Sequence, residues 1–439
     1  MPDSSESLKL ALALIRQLRS RVHKAYLVGG CVRDRLLAVA PKDFDIATDA
    51  SPQQIAEYFP GALLVGAHFG VVLVKEGAAQ VEVATFRSEG AYSDARRPDE
   101  VRFETEPSLD AQRRDFTING LMEDPLTGEI FDFVGGTADL RNKVIRAIGD
   151  AERRFSEDHL RMLRAVRFAA RLGFAIEKQT ADAISRRADR VRTVSAERVR
   201  DELLRIVTEG GARRGLELLD ELGLLAHLLP EVQAFHGVEQ PPEFHPEGDV
   251  WTHVMLMLEK MGPATGSLAL GVLLHDVGKP RTFRRADRIR FDGHAEVGAV
   301  MARAVLERLR LSNEEVEHVT ALVANHMKFK DVGKMRSSTL KRFLRMDRFD
   351  EHLALHRLDC VASNGRTESY EFVRQKLAEL STEALHPPRL VSGRDLIAAG
   401  YVPGPQFSKA LEAVETAQLD GEIHTREEAL AVARRALLG

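Results

Sequence analysis

The chain has 439 residues, too many for one compact core, so about three domains is the expectation. Its 44% hydrophobic and 29% charged residues are ordinary for a water-soluble chain, and no stretch approaches the length of a membrane span. The 62 Lys and Arg against 66 Asp and Glu leave a formal charge of −4, which excludes uniform coating of a polyanion but permits a local basic face.

At the N-terminus, Asp3 and Glu6 with no long apolar run predict no secretory leader. Cys31 and Cys360 are the only cysteines and lie far apart in sequence. They read as free thiols in a reducing compartment, which places the chain in the cytoplasm. Leu8, Leu12, Ile15 and Leu18 form a helical stripe that caps the first domain.

Residues 26–48, YLVGGCVRDRLLAVAPKDFDIAT, organise the rest of the chain. Residues 26–28 predict a buried strand, Gly29-Gly30 a tight turn, 32–37 a helix start and 42–47 a second strand. Asp43 and Asp45 are two apart, so both leave one face, with Cα atoms about 6.6 Å apart at about 3.3 Å per residue. Two ionised carboxylates about 4 Å apart repel by roughly 4 kcal/mol at a surface-like dielectric, so the pair is a candidate holder of divalent cations. The bare alternative is an acidic turn. Without a Cβ at Gly29 or Gly30, backbone N–H groups can approach phosphate oxygens, and Arg33 can add a bidentate fork to a triphosphate.

The pattern LVGGCVRD followed by DFD resembles the class II nucleotidyltransferase family, which contains tRNA CCA-adding enzymes and bacterial poly(A) polymerases. That resemblance implies Mg²⁺ at Asp43 and Asp45, CTP and ATP as substrates, and the tRNA 3′ end as partner.

Beyond it, Ser51-Pro52 predict the N-cap and first turn of a helix through Phe59. Residues 70–74 and 81–84 predict paired strands. Glu82 alternates against Val81 and Val83. It is a candidate third carboxylate for the metal site, or a solvent-facing strand residue. Residues 87–108 predict a long loop. In the resembled family, a loop of this longer kind accompanies full CCA or terminal A addition. RRDFTING at 113–120 resembles the second family motif, which implies that Arg113, Arg114 and Asp115 contact ribose and triphosphate; Asp115 also fits a helix cap. Gly135-Gly136, in the stretch resembling the third motif, predict a structural hinge.

Residues 151–214 hold 16 Lys and Arg against 10 Asp and Glu, a basic helical region. Within residues 156–174, Met162, Leu163, Val166, Ala169 and Ala170 form one stripe, with Arg161, Arg164, Arg167 and Arg171 opposite. Glu157-Asp158 with Arg161 resemble the EDxxR motif, which implies nucleotide recognition by Asp158 and Arg161, with Arg164 and Arg167 beside them. Asp158 and Arg161 are expected to be neighbours on one helix surface. SAERVRDELLRIV, at 195–207, resembles the ERxxxE motif through Glu197, Arg198 and Glu202. Ser195 is its expected N-cap, and the helix is read as structural.

QPPEFHP, at 240–246, marks a domain boundary. The ordered set His253, His275, Asp276, His294, His326 and Asp359 then resembles the HD phosphohydrolase superfamily. Imidazole and carboxylate without Cys suit Mn, Fe, Ni, Co or Mg. Lys279 is a candidate phosphate contact. The tail carries no evident chemistry.

The expected fold is an α+β nucleotidyltransferase head with a small mixed sheet, then an all-α neck, HD domain and tail. The expected boundaries are 1–150, 151–239, 240–380 and 381–439. The expected function is template-independent addition of CCA, or part of it, to tRNA. The alternatives are a poly(A) polymerase and an HD phosphohydrolase with an inactive RNA-binding head.

Overall fold

The computed structural model describes residues 4–66, 70–90, 92, 98 and 100–438. It forms two compact units, Met1–Gln233 and Ala234–Gly439.

The first unit opens with α1 (Ser4–Ser20), whose buried face is Leu10, Ala11, Leu14, Ile15 and Leu18. The predicted stripe is therefore rotated slightly: Leu8 and Leu12 lie at its edge and are only half-buried. Next come β1 (Ala25–Val28), α2 (Gly30–Leu36), β2 (Asp45–Thr48) and α3 (Pro52–Tyr58). Ser51 caps α3 through a capping box with Gln54. β3 (Leu63–Gly66), β4 (Val71–Glu76) and β5 (Ala79–Thr85) extend the sheet.

Asp43 precedes β2 instead of lying on it, because the strand begins only at Asp45. The alternation survives even so. Phe44 and Ile46 are buried, whereas Asp43 is exposed and Asp45 half-buried.

Residues 87–108 hold more regular structure than a loop. β6 (Arg87–Glu89) pairs antiparallel with β7 (Val101–Phe103), and α4 (Pro107–Gln112) comes next. Most of the segment between these two strands lies outside the described residues. β8 (Met122–Asp124) and β9 (Glu129–Phe131) complete a mixed seven-stranded sheet, ordered β3-β4-β5-β2-β1-β8-β9. Only β2 and β5 are parallel neighbours in it, and that pairing sets Asp45 beside Glu82. α5 (Gly136–Asn142) begins at the glycine pair. A Cβ on Gly136 would land on the Thr117 carbonyl oxygen, so glycine there is a packing requirement.

From here the chain is helical, apart from two short strand pairs. β10 (Val144–Ile145) runs with β11 (Ala175–Ile176), and β12 (Arg284–Arg285) with β13 (Ile289–Arg290). The predicted helix over 156–174 is two helices, α6 (Ala151–Glu157) and α7 (Leu160–Leu172). Asp158 is extended at the break (φ −149°), and its side chain accepts from the Leu160 N–H. A short carboxylate that can bond the backbone ahead of it favours such a cap over a helix interior. The apolar stripe of α7 is buried as expected. Its arginine face is not solvated: Arg167 is 4% exposed.

The neck continues with α8 (Lys178–Arg186) and α9 (Ala196–Thr208). Ser195 holds the N-cap position of α9 but makes no capping hydrogen bond. α10 (Ala212–Glu221), α11 (Leu225–Leu228) and α12 (Pro230–Gln233) close the unit.

In the second unit, α13 (Val250–Lys260), α14 (Gly266–Leu274), α15 (Lys279–Thr282), α16 (His294–Arg308) and α17 (Asn313–Asn325) precede α18 (Ser337–Leu344) and α19 (Phe349–Ala362). Helices α13, α14, α17 and α19 pack against one another, with α16 against α17. The later helices form a separate apolar cluster around Leu396, Ala410 and Ala429.

Candidate active site

β1, the glycine turn and α2 build the first wall. Gly29 takes φ 75°, a backbone region that only glycine enters freely. Its N–H is already bonded to the Leu121 carbonyl, so it is not a free phosphate donor. What the missing Cβ provides is room: a Cβ at Gly29 would sit 3.1 Å from an Arg114 guanidinium nitrogen. Cys31 lies beside this turn, its thiol donating to the Val28 carbonyl and pushed up to about 11, chiefly by burial. Such a thiol is chemically inert.

The carboxylates meet at β2. Asp45, its neighbour Glu82 and Asp43 form an acidic group. Burial, then Glu82, push the Asp45 carboxyl up to about 6 against the opposing pull of Arg114, and Asp43 adds to the rise. Three carboxylates with one partly shared cation carry more negative charge than the protein balances. That all-oxygen set fits a hard divalent cation such as Mg²⁺.

A cavity of about 570 Å³ opens in front of Asp43 and Asp45. Gly29, Gly30, Arg33, Arg113, Arg114, Asp115, Asp158, Arg161, Arg164 and Arg167 all line it, whereas Glu82 does not. Eleven of its lining residues are Lys or Arg and seven are Asp or Glu. A cavity with that balance attracts a polyphosphate.

The arginines are held, not free. Arg33 is buried and binds Asp34 and the Asn119 side chain (Nη1–Oδ1 2.7 Å), which corrects the reading of an open fork. Arg113 and Arg114 divide the two oxygens of buried Asp110, and Arg113 also reaches Glu89. Arg164 binds Asp115 (2.8 Å), and Arg167 binds Glu202 (2.6 Å). Phe168 lies beneath the guanidinium groups of Arg33, Arg164 and Arg167, at 5.2, 5.4 and 4.2 Å, in cation–π range.

Asp158 and Arg161 share the cavity but do not pair with each other. Arg198 of α9 grips both Asp158 oxygens (3.1 and 2.7 Å), and Arg161 binds Glu157 (2.6 Å). The helix break at Asp158 removes the one-face spacing that would have joined them. Arg198, named above only in a motif on a helix read as structural, lines the cavity, as does Asn119, and buried Asp110 holds two of its arginines. The position of Arg198 on the outer face of a helix beside an arginine-rich neighbour was the available signal.

In the second unit, all six predicted ligands converge. His253 Nε2 lies 3.2 Å from Asp359 Oδ1, and His275 Nε2 lies 3.1 Å from Asp276 Oδ2. Asp276 Oδ1 faces His294 and His326, whose Nε2 atoms are 3.2 Å apart. His275, His294 and His326 each commit Nδ1 to a backbone carbonyl, of Val272, Phe291 and Val323. Each donates there, so each Nε2 presents a lone pair to the centre. Burial, then His275, push His326 down to about 4, which keeps it neutral. The buried Nε2 atoms of His253 and His275 have no hydrogen-bond partner. Burial lowers His253, but Asp359 and then Glu247 outweigh it and raise it to about 9. Converging imidazole nitrogens beside carboxylates fit a divalent transition metal, which would take the place of that proton. Lys279 is buried, 2.7 Å from Asp276 and bonded to Gln240.

Comparison with known proteins agrees with this layout. Residues 25–146 match the family described as "Poly A polymerase head domain", and 173–235 the "Probable RNA and SrmB- binding site of polymerase A". Residues 294–433 match tRNA nucleotidyltransferase domain 2. The CCA-adding enzyme of Levilactobacillus brevis is 31% identical, over 98% of both chains. That of Lactobacillus johnsonii is 38% identical over 57% of this chain, which spans 63% of the relative's length. Among solved structures, the Bacillus stearothermophilus CCA-adding enzyme in complex with CTP superposes with TM-score 0.75 at 28% identity, covering 99% of this chain and 98% of its own. The Thermotoga maritima CCA-adding enzyme complexed with tRNA shares the fold, with TM-score 0.60 at 21% identity over 98% and 95%.

The Asp115–Arg164 pair has a consequence for acid stability. Burial opposes the Asp115 charge, but Arg164 and then Asn119 outweigh it and hold the carboxyl at about 2, below the ordinary 3.8. A depressed carboxyl stabilises the fold fully above pH about 4, and that contribution is lost as pH falls toward 2. Between pH 5 and pH 2 the native protein should lose roughly 2 kcal/mol more than Asp115→Asn, as read by guanidinium unfolding at stepped pH. Parallel pH profiles for the two proteins would refute it.

Proposed function

The chain belongs to the family of CCA-adding enzymes, and we propose that it extends the 3′ end of tRNA with C and A residues from CTP and ATP. The observation that carries this reading is one cavity holding the Asp43–Asp45 pair, an arginine-rich wall and the Asp158–Arg161 pair. In the reaction, the RNA 3′-oxygen bonds to the α-phosphorus of the nucleotide, the α–β bond breaks and pyrophosphate leaves.

Asp43 and Asp45 would hold Mg²⁺, with Glu82 beside them. When bound, the metal would acidify the 3′-hydroxyl and neutralise charge on the departing pyrophosphate. The cavity's basic side chains orient the triphosphate. Asp115 and its neighbours Arg113 and Arg114 line the same cavity, which supports contacts to ribose and phosphates.

Selection of the base comes from hydrogen-bond polarity. Cytosine and adenine each present an amino donor beside an unprotonated ring nitrogen; uracil and guanine present the reverse. Asp158 can only accept and Arg161 can only donate, so together they fit the first pattern. Arg198 on one and Glu157 on the other hold the two groups in place. Asp158 Oδ2 keeps a second lone pair, whereas Oδ1 already accepts from both Arg198 and the Leu160 N–H, and Arg161 keeps donors beyond Nη1.

A second activity is proposed for the histidine–carboxylate cluster. Its ligand set suits Mn, Fe, Ni, Co or Mg, and the HD resemblance points to phosphohydrolysis, with 2′,3′-cyclic nucleotides as substrates. No helix among the described residues is long and apolar enough to cross a membrane. Cys31 and Cys360 are both free and buried, which supports a cytoplasmic setting.

Asp43→Ala or Asp45→Ala should lower nucleotide incorporation by roughly 100-fold or more without unfolding the protein, because several kcal/mol of transition-state stabilisation is lost. Incorporation within a few-fold of native would contradict the assignment. Asp158→Ala should weaken discrimination against UTP and GTP by about tenfold or more, as expected for roughly 1–3 kcal/mol from a good bidentate base contact. Four-nucleotide competition on native, Asp158→Ala and Arg161→Ala proteins checks this, and unchanged preference in both variants would remove the pair from base selection. His275→Ala or Asp276→Ala should abolish metal-dependent phosphohydrolysis while sparing incorporation. Native protein inert toward cyclic nucleotides with every added metal would sink the second activity.

A further inference from the structure

Ahead of α13, the chain carries two side chains that the six-residue ligand set leaves out. Glu247 is half-buried as a residue, with only 6% of its side chain exposed. Its Oε1 accepts from His253 Nδ1 at 2.6 Å and from His245 Nδ1 at 2.9 Å. The two imidazoles meet edge to face, with centroids 4.9 Å apart. His253 has no solvent exposure at all.

His245, Glu247 and His253 place ligand atoms close enough together to pose as a cation site of their own. The spacing argues against it. A 2.6 Å separation is a hydrogen bond, and a cation needs about 2 Å to each of its ligands, which forces them further apart. The trio is a clamp instead. A carboxylate on Nδ1 selects the tautomer with its proton there and leaves Nε2 as the only lone-pair nitrogen. That Nε2 is buried, lacks a hydrogen-bond partner and faces Asp359 in the cluster. His275, His294 and His326 reach the same state through backbone carbonyls. His253 is the one histidine of the set held by a side chain, and therefore the one whose orientation a single substitution can release.

We propose that Glu247 is a positioning residue that presents His253 Nε2 to a divalent metal, and that His245 fixes Glu247 from its other side. This rests on the reading of the cluster as a metal site. The test is Mn²⁺ titration of the full-length chain, with free Mn²⁺ followed by electron paramagnetic resonance. All proteins carry Asp43→Ala and Asp45→Ala, so that the first unit's carboxylates do not contribute.

In that background, Glu247→Gln and Glu247→Ala should weaken Mn²⁺ binding by about 10–100-fold, the usual effect of removing a partner behind a metal-ligating histidine. Glu247→Gln preserves the shape of the side chain and is decisive if the Ala variant does not fold. Separately, with Asp43 and Asp45 intact, Glu247→Gln should leave CTP incorporation at the native rate. Mn²⁺ affinity unchanged within twofold in Glu247→Gln, while Asp276→Ala abolishes binding, would overturn the positioning role and leave the metal site standing. No Mn²⁺ bound by the parent protein would overturn both.

Discussion

A helix that turns four arginines toward one cavity and partly buries them needs carboxylates from elsewhere to meet them. Arg161, Arg164, Arg167 and Arg171 project from one face of α7, and the partners come from different elements. Glu157 ends α6, Asp115 lies just after α4, Glu202 sits on α9, and Glu209 lies just past its end. Asp158, at the break before α7, draws Arg198 across from α9 in return. Breaking such a pair by removing one partner leaves a buried charge uncompensated, at about 3–5 kcal/mol. The network therefore ties α7 to α6, to the segment after α4 and to α9.

The same requirement shapes the chemistry. Charges bound to each other do not collapse onto an incoming triphosphate, so the cavity can be rich in arginine and still hold a defined shape. The proposed selectivity depends on this restraint. A carboxylate that reads an amino group must not rotate to accept from something else, and the Arg198 fork limits that freedom. At the opposite wall, Asp43 and Asp45, with Glu82 on the neighbouring strand, have no comparable supply of cations, and burial, then Glu82, raises the Asp45 carboxyl. The arginines of α7 are each paired with a carboxylate while the cavity as a whole stays basic, and the acidic corner is left for an ion.

Much of this was legible in the chain. Alternation around Phe44 placed Asp43 and Asp45 on one face even though the strand begins later than expected. The order of six histidine and aspartate ligands anticipated their convergence, because metal-ligand types recur little by chance. Three features were not legible. Periodicity carried a helix through Asp158, where a capping carboxylate stops it. The partners of the arginine face were hidden, since nothing local reveals carboxylates arriving from distant segments. Gly29 looked like an amide donor, but its N–H is taken by Leu121, a contact set by sheet pairing that local sequence does not display.

The proposed function requires one cavity to select C and A and to pass from one to the other as the tRNA end grows. This is tested most directly by offering three tRNAs, ending before CCA, before CA and before A, to the native protein with each nucleotide singly, and sizing the products. The expected products are two C residues with CTP on the first, one C on the second, a single A with ATP on the third, and nothing with UTP or GTP. Long runs of A on every end would identify a poly(A) polymerase and contradict it.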